Sequence, residues 1–105
     1  MPTSQQHVSP STPMGLTLVT GGATLRVWAP RARQVFICGD FNGYVRGDSS
    51  LLVRNGDGRW TGFVPGVAEG DRYKFYVVGE GSEGFKRDPY ARELIGASLD
   101  YDRAA

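Results

Sequence analysis

Short apolar runs recur along this chain between clusters of glycine, proline, asparagine and aspartate. In residues 24–29 (TLRVWA), apolar and polar positions alternate. Leu25 and Val27 fall on one face of this segment, and Trp28 falls on the other. A period of two is the spacing of a β-strand with one buried face. The pattern therefore predicts a strand here.

Residues 72–78 (RYKFYVV) show the clearest strand pattern. Tyr73 and Phe75 fall on one face of the segment. Lys74 and Tyr76 fall on the opposite face. The other predicted strands cover residues 16–19, 35–38, 51–53, 59–64 and 85–87.

The pattern indicates about six to eight short antiparallel strands, spaced roughly 8–12 residues apart, and no convincing helix. This is typical of an all-β sandwich or a small barrel. The strongest hairpin signal is the Asn-Gly-Asp-Gly run at residues 55–58, because these residues tolerate positive φ. The 105 residues suffice for one such domain, whereas a (β/α)₈ barrel needs roughly 250 residues.

The two ends of the chain differ in composition from the middle. Residues 1–14 are polar and proline-rich, which predicts a disordered N-terminal tail without a signal peptide. The strand pattern fades near residue 93, so we expect an ordered domain over residues 15–93 and an exit linker over residues 94–105. Cys38 lies in an apolar run and is predicted to be a buried free thiol. Together these features favour a cytoplasmic protein.

Charge excludes two classes of partner. Twelve Lys and Arg oppose eleven Asp and Glu, and they are dispersed along the chain. Nucleic-acid binding usually needs a clustered basic face, and binding to a membrane surface needs a basic amphipathic helix. We therefore expect neither partner.

The sequence carries no convincing catalytic centre, cofactor site or metal site. Residues 79–84 match G-x-G-x-x-G, but Pro89 argues against the helix that a dinucleotide site requires. The carboxylates lie in predicted turns, where nothing pairs them across a cleft. His7, the only histidine, lies in the predicted tail. We expect a module that is not an enzyme by itself.

Aromatic residues are the remaining candidates for function. Flat rings pack against the C–H face of a sugar, although they also pack in protein cores. Trp60, on an alternating strand beside a hairpin, favours the core. Trp28 could instead cover the edge of the sandwich or face a neighbouring domain. Tyr44 lies in a glycine-rich loop, where binding and packing are equally open.

Five motifs follow one another along the chain: residues 25–30 (LRVWAP), 39–44 (GDFNGY), 58–60 (GRW), 70–75 (GDRYKF) and 86–91 (KRDPYA). In this order they resemble carbohydrate-binding module family 48, the N-terminal domains of α-amylase-family enzymes. The last motif is most similar to 1,4-α-glucan (glycogen) branching enzymes. The resemblance implies an early-set, immunoglobulin-like β-sandwich.

The resemblance also implies a sugar site. In a related glycogen-binding domain, sugar stacks on two tryptophans and a lysine binds its hydroxyls. The matching residues here are Tyr44, Phe85 and Lys74. Tyr44 and Phe85 replace the tryptophans, which reduces the stacking area.

Three functions remain open at this point. The first is an accessory module that binds α-1,4-glucan or malto-oligosaccharide for a parent glycoside hydrolase or branching enzyme. The second is a structural domain that docks on the catalytic barrel of that enzyme, with Trp28, Leu94 and Ile95 as candidate packing residues. The third is a protein-interaction β-sandwich unrelated to sugar.

Overall fold

The computed structural model of the protein describes residues 3–5, 7–9, 11–56, 58–79, 81–86 and 102–103. Eight strands and two short 3₁₀ turns form in this part of the chain. The 3₁₀ turns are Asp40–Asn42 and Asp48–Ser50. The strands are β1 Gly15–Val19, β2 Gly22–Trp28, β3 Ala32–Gly39, β4 Val53–Arg54, β5 Arg59–Pro65, β6 Arg72–Gly79, β7 Ser82–Lys86 and β8 Asp102–Arg103.

The strands form two antiparallel sheets. Sheet A has the order β1-β2-β5-β4, and sheet B has the order β3-β6-β7, with β8 also pairing with β6. The all-β sandwich predicted from the sequence is thereby confirmed. In the segment that matches G-x-G-x-x-G, Gly79 ends β6 and Ser82 begins β7, so a strand lies where a dinucleotide site requires a helix.

Alternate residues of both sheets form one core. Val27 pairs with Trp60 in sheet A, and Ile37 pairs with Phe75 in sheet B. Each of these side chains is buried and belongs to the same apolar cluster. The predicted core role of Trp60 is confirmed, and its indole N–H donates to the carbonyl of Ala29 over 3.0 Å.

The N-terminal segment, which we expected to be a disordered tail, contacts sheet A in its described parts. Thr3 N–H donates to the Leu51 carbonyl over 2.9 Å, and Phe63 N–H donates to the Ser4 carbonyl over 2.7 Å. The Gln5 side chain exchanges two hydrogen bonds with Thr61. These contacts use backbone and amide groups, so they need no apolar pattern in the sequence.

Membrane-spanning helices and metal-binding groups are both absent from the described residues. None of their helices has the length and apolar character needed to cross a bilayer. They also contain no group of three or more His, Cys, Asp and Glu residues placed to hold a metal ion.

Candidate functional site

The outer face of sheet B gathers side chains from three neighbouring strands. In the strand register Cys38 lies opposite Lys74, and Tyr76 lies between Phe36 and Phe85. Because alternate residues of a strand share a face, these five side chains point away from the core.

A loop, residues 40–51, folds over part of this face. Cys38 lies beneath it, fully buried, with its Sγ 3.9 Å from the Val45 carbonyl oxygen. Burial raises the pKa of the Cys38 thiol, and the positive charges of Arg46 and Lys74 act in the opposite direction. Leu51 ends the loop with a bridge to Phe36. The loop therefore covers the β3 side of the face.

Asn42 organises the first turn of this loop. Its amide Nδ2 donates to the Ile37 carbonyl over 2.8 Å. Its Oδ1 accepts from the N–H groups of Gly39 and Tyr44, over 3.0 and 3.1 Å. Tyr44 itself has φ of 61°, a left-handed conformation that is uncommon outside glycine, asparagine and aspartate.

The three sugar-site residues predicted from the resemblance lie together on this face. The Lys74 ammonium nitrogen is 4.2 Å from the centroid of the Phe85 ring and 5.9 Å from that of the Tyr44 ring. Phe85 is 45% exposed. Tyr44 and Lys74 are both half-buried. One ammonium group thus contacts two accessible rings.

Two further residues extend the cluster. Tyr76 packs against Phe85 edge to face, with 4.9 Å between the ring centroids. The Arg46 guanidinium lies 4.0 Å from the centroid of the Tyr76 ring. The alternation of residues 72–78 had already placed Tyr76 on the same face as Lys74. Arg46 lies in an irregular loop, so no periodic pattern in the sequence predicts where its side chain points.

Asp40 connects the loop to strand β6. Its Oδ1 accepts a hydrogen bond from the Tyr44 hydroxyl over 3.2 Å. Its Oδ2 accepts from the backbone N–H of Arg72 over 3.0 Å and lies 3.4 Å from the Arg72 Nε. These contacts, led by the backbone N–H of Arg72, hold the pKa of Asp40 below its ordinary value.

The candidate packing residues lie elsewhere. Trp28 is at the end of β2 in sheet A and is 58% exposed, so its ring is available on a different sheet from the aromatic cluster. Leu94 and Ile95 lie outside the described residues.

Comparison with known proteins identifies the family. Residues 13–91 match the sequence profile of carbohydrate-binding module 48 (isoamylase N-terminal domain). The chain is also 43% identical over 74 residues to a 1,4-alpha-glucan branching enzyme GlgB of Marinobacter nauticus, and 45% identical over 82 residues to that of Bacillus subtilis. This chain belongs to carbohydrate-binding module family 48.

The matches cover most of this chain and a small part of each relative. The two branching enzymes align with 70% and 72% of the chain, which spans only 12% and 13% of their lengths. Among solved structures, the PulA protein of Klebsiella pneumoniae superposes with a TM-score of 0.71 and 25% identity, over 90% of the chain and 10% of its own. Pullulanase from Anoxybacillus sp. LM18-11 shares the fold, with a TM-score of 0.73 and 21% identity, over 93% of the chain and 14% of its own.

Proposed function

We propose that this module binds linear α-1,4-glucan, including malto-oligosaccharides, on the outer face of sheet B. The observation that carries the proposal is the position of the Lys74 ammonium against the rings of both Tyr44 and Phe85. The C–H face of a glucosyl residue packs on such rings, while an ammonium group donates to hydroxyl oxygens. The site offers apolar area and a polar group within one sugar-sized region.

The module would act for a catalytic domain outside this chain. Its branching-enzyme relatives favour a parent of that kind, or a related α-amylase-family enzyme. A branching enzyme cuts an α-1,4 linkage and rejoins the chain as an α-1,6 branch. In this proposal the module holds the glucan, and the parent enzyme carries out the cleavage and transfer.

An amide NMR titration of the domain with maltoheptaose tests the sugar site. We expect shifts that cluster on residues 44, 74 and 85, and that disappear in a Tyr44→Ala variant that remains folded. Cellohexaose, whose β-1,4 linkages give a straighter chain, is the matched control ligand and should cause smaller shifts. A flat titration at millimolar maltoheptaose would refute the site.

Trp28 favours a second function, docking on the catalytic barrel. Its exposed ring lies on a different sheet from the aromatic cluster, so docking and sugar binding are compatible. We expect Trp28→Gln in the full parent enzyme to lower the melting temperature of the enzyme while the isolated module keeps its own. An unchanged melting temperature of the full enzyme would remove this candidate.

A further inference from the structure

Tyr44 differs from the other two proposed sugar-contacting residues in how its direction is set. Lys74 and Phe85 lie on paired strands, where the sheet register fixes the face that each occupies. Tyr44 lies in the loop, beyond the first 3₁₀ turn. A loop side chain without tethers would lose conformational freedom when it packs on a ligand, and that loss weakens binding.

The backbone end of Tyr44 is tethered by Asn42. The same Oδ1 atom of Asn42 accepts from the N–H groups of Tyr44 and Gly39. Its Nδ2 anchors the group to the Ile37 carbonyl. The Gly39 carbonyl accepts the same Tyr44 N–H over 3.1 Å. Together with this bond, Asn42 holds Tyr44 to strand β3 in a backbone conformation that a residue other than glycine seldom adopts without support.

The ring end of Tyr44 is tethered by Asp40. The phenol hydroxyl donates to Asp40 Oδ1, and Asp40 Oδ2 accepts from the Arg72 backbone N–H. Arg72 begins β6, the strand that carries Lys74. The tether therefore connects the tip of the loop ring to the strand that presents the ammonium group.

We propose that Asp40 and Asn42 are positioning residues that hold the Tyr44 ring ready before the ligand arrives. The inference rests on the proposed function of the site. The tether needs a donor on the ring, because a phenyl ring at this position has no group to donate to Asp40. The two tethers lower the ordering cost of binding and add no contact to the sugar.

The phenol tether is tested by a double-mutant cycle on the dissociation constant for maltoheptaose. Tyr44→Phe and Asp40→Ala are each expected to weaken binding about threefold, the value of one modest hydrogen bond. The double variant should be no weaker than either single variant, because both substitutions remove the same bond. If the hydroxyl instead contacted sugar directly, Tyr44→Phe would weaken binding again in the Asp40→Ala background, and the phenol tether would be overturned.

Two controls separate positioning from general damage to the fold. Asp71→Ala removes another turn aspartate, whose Oδ2 accepts the Ala68 N–H over 2.9 Å, and should leave the dissociation constant unchanged. In a Tyr44→Phe background, whose ring carries no hydrogen-bond donor, Asp40→Asn should also leave it unchanged. If either control weakened maltoheptaose binding threefold, the loss of an aspartate in a turn would be shown to reduce binding by damaging the fold.

The backbone tether is tested with Asn42→Ala, measured well below its melting temperature. We expect binding at least about tenfold weaker. Ser50→Ala is the matched control, because Ser50 is buried and hydrogen-bonds the same loop at Val45 and Gly47. Its dissociation constant should stay within about twofold of wild type while its melting temperature falls. Should Asn42→Ala fail to fold, Asn42→Asp keeps both accepting contacts but loses the Nδ2 donor to the Ile37 carbonyl. Binding weaker than that of Ser50→Ala is then expected, and binding like wild type would refute the backbone tether.

The outcomes separate this inference from the proposed function. If the wild-type domain does not bind maltoheptaose, both fail. A second outcome is that wild type binds and Tyr44→Ala does not, which supports the sugar site. If Asp40→Ala, Tyr44→Phe and Asn42→Ala then all bind like wild type, the positioning roles are refuted.

Discussion

The outer faces of the two sheets are covered in different ways. The N-terminal segment hydrogen-bonds to β5 of sheet A, where the outward-facing Thr61 is only 1% exposed. On sheet B the loop covers Cys38 completely and leaves Phe85 45% exposed. Sheet A keeps one exposed ring, Trp28 at the end of β2, whereas sheet B keeps accessible rings beside a cation.

The difference between the faces is one of grouping, a single exposed ring on sheet A against a cluster of rings and cations on sheet B. An exposed ring forgoes the stabilisation of burial, which is worth roughly 1.5–3 kcal/mol for a large apolar side chain that is fully removed from water. On sheet B three aromatic side chains and two cations gather at one place, where the chain provides only a partial cover. Such a patch is characteristic of a binding surface.

The largest effect is expected at Gly62 of β5, which lies opposite the buried Leu25 on the core side of sheet A. A Cβ added there would clash with the Thr3 side chain and lie 2.9 Å from Leu52 Cδ2. Gly62→Ala should displace the N-terminal segment and lower the free energy of unfolding by about 1–3 kcal/mol. Urea denaturation measures this loss.

Gly84 supplies the control in sheet B. A Cβ added there meets no atom within 4 Å, so Gly84→Ala should leave the stability unchanged or raise it slightly. Equal losses from the two substitutions would contradict the described contrast between the sheets.

Phe85→Ala is expected to affect binding more than stability. The variant should bind maltoheptaose at least about tenfold more weakly, a loss of about 1.4 kcal/mol in binding free energy. Its unfolding free energy should fall by less, because the ring is half-exposed. Calorimetric titration and urea denaturation measure the two quantities. Trp28→Ala, an exposed ring on sheet A, should bind glucan like wild type.

Gln5→Ala should weaken the cover of sheet A by a smaller amount. It removes the two hydrogen bonds with Thr61, so the free energy of unfolding should fall by about 0.5–1.5 kcal/mol. The Phe63 amide, which donates to Ser4, should exchange its hydrogen faster. Gln34→Ala, at an exposed position on β3 of sheet B, serves as the comparison. Unchanged exchange at Phe63 would show that the segment contributes little to this cover.

The smallest effect is expected from acid on the loop of sheet B. The folded pKa of Asp40 lies below the ordinary value of 3.8. Its ionised form therefore contributes stability above pH 3.8, and that contribution is lost as the pH falls through the folded pKa. Because the carboxylate is exposed, the contribution is small. The urea midpoints of wild type and Asp40→Asn should differ at pH 6 and converge near pH 2. A difference that stays constant with pH would show that it does not arise from the ionisation of Asp40.

Strand periodicity accounts for what could be predicted about the site. The alternation of residues 72–78 separates Phe75, in the core, from Lys74 and Tyr76 on the outer face. That Phe85 lies opposite Tyr76 depends on the register of the β6–β7 hairpin. The motif resemblance supplied Tyr44, Lys74 and Phe85 as a set, and the sheet register then explains how the two strand residues meet.

Two regions could not be predicted because their contacts carry no periodic signal. Arg46 reaches Tyr76 from an irregular loop. Ser4 and Gln5 join sheet A through hydrogen bonds, and Thr3 bonds to the Leu51 carbonyl. Polar residues of this kind also form disordered tails. Sequence composition describes how much apolar surface a segment can bury, but not which backbone groups of a neighbouring strand remain unpaired.

The burial of Cys38 makes the reactivity of its thiol a measure of how often the loop opens. The chain has one cysteine, and a thiol reagent can reach it only when the loop lifts from sheet B. The rate at which the reagent modifies Cys38 therefore reports the frequency of loop opening. A sugar that bridges Tyr44 and Lys74 would hold the loop against the sheet and slow the reaction of this thiol, so that no engineered cysteine is needed.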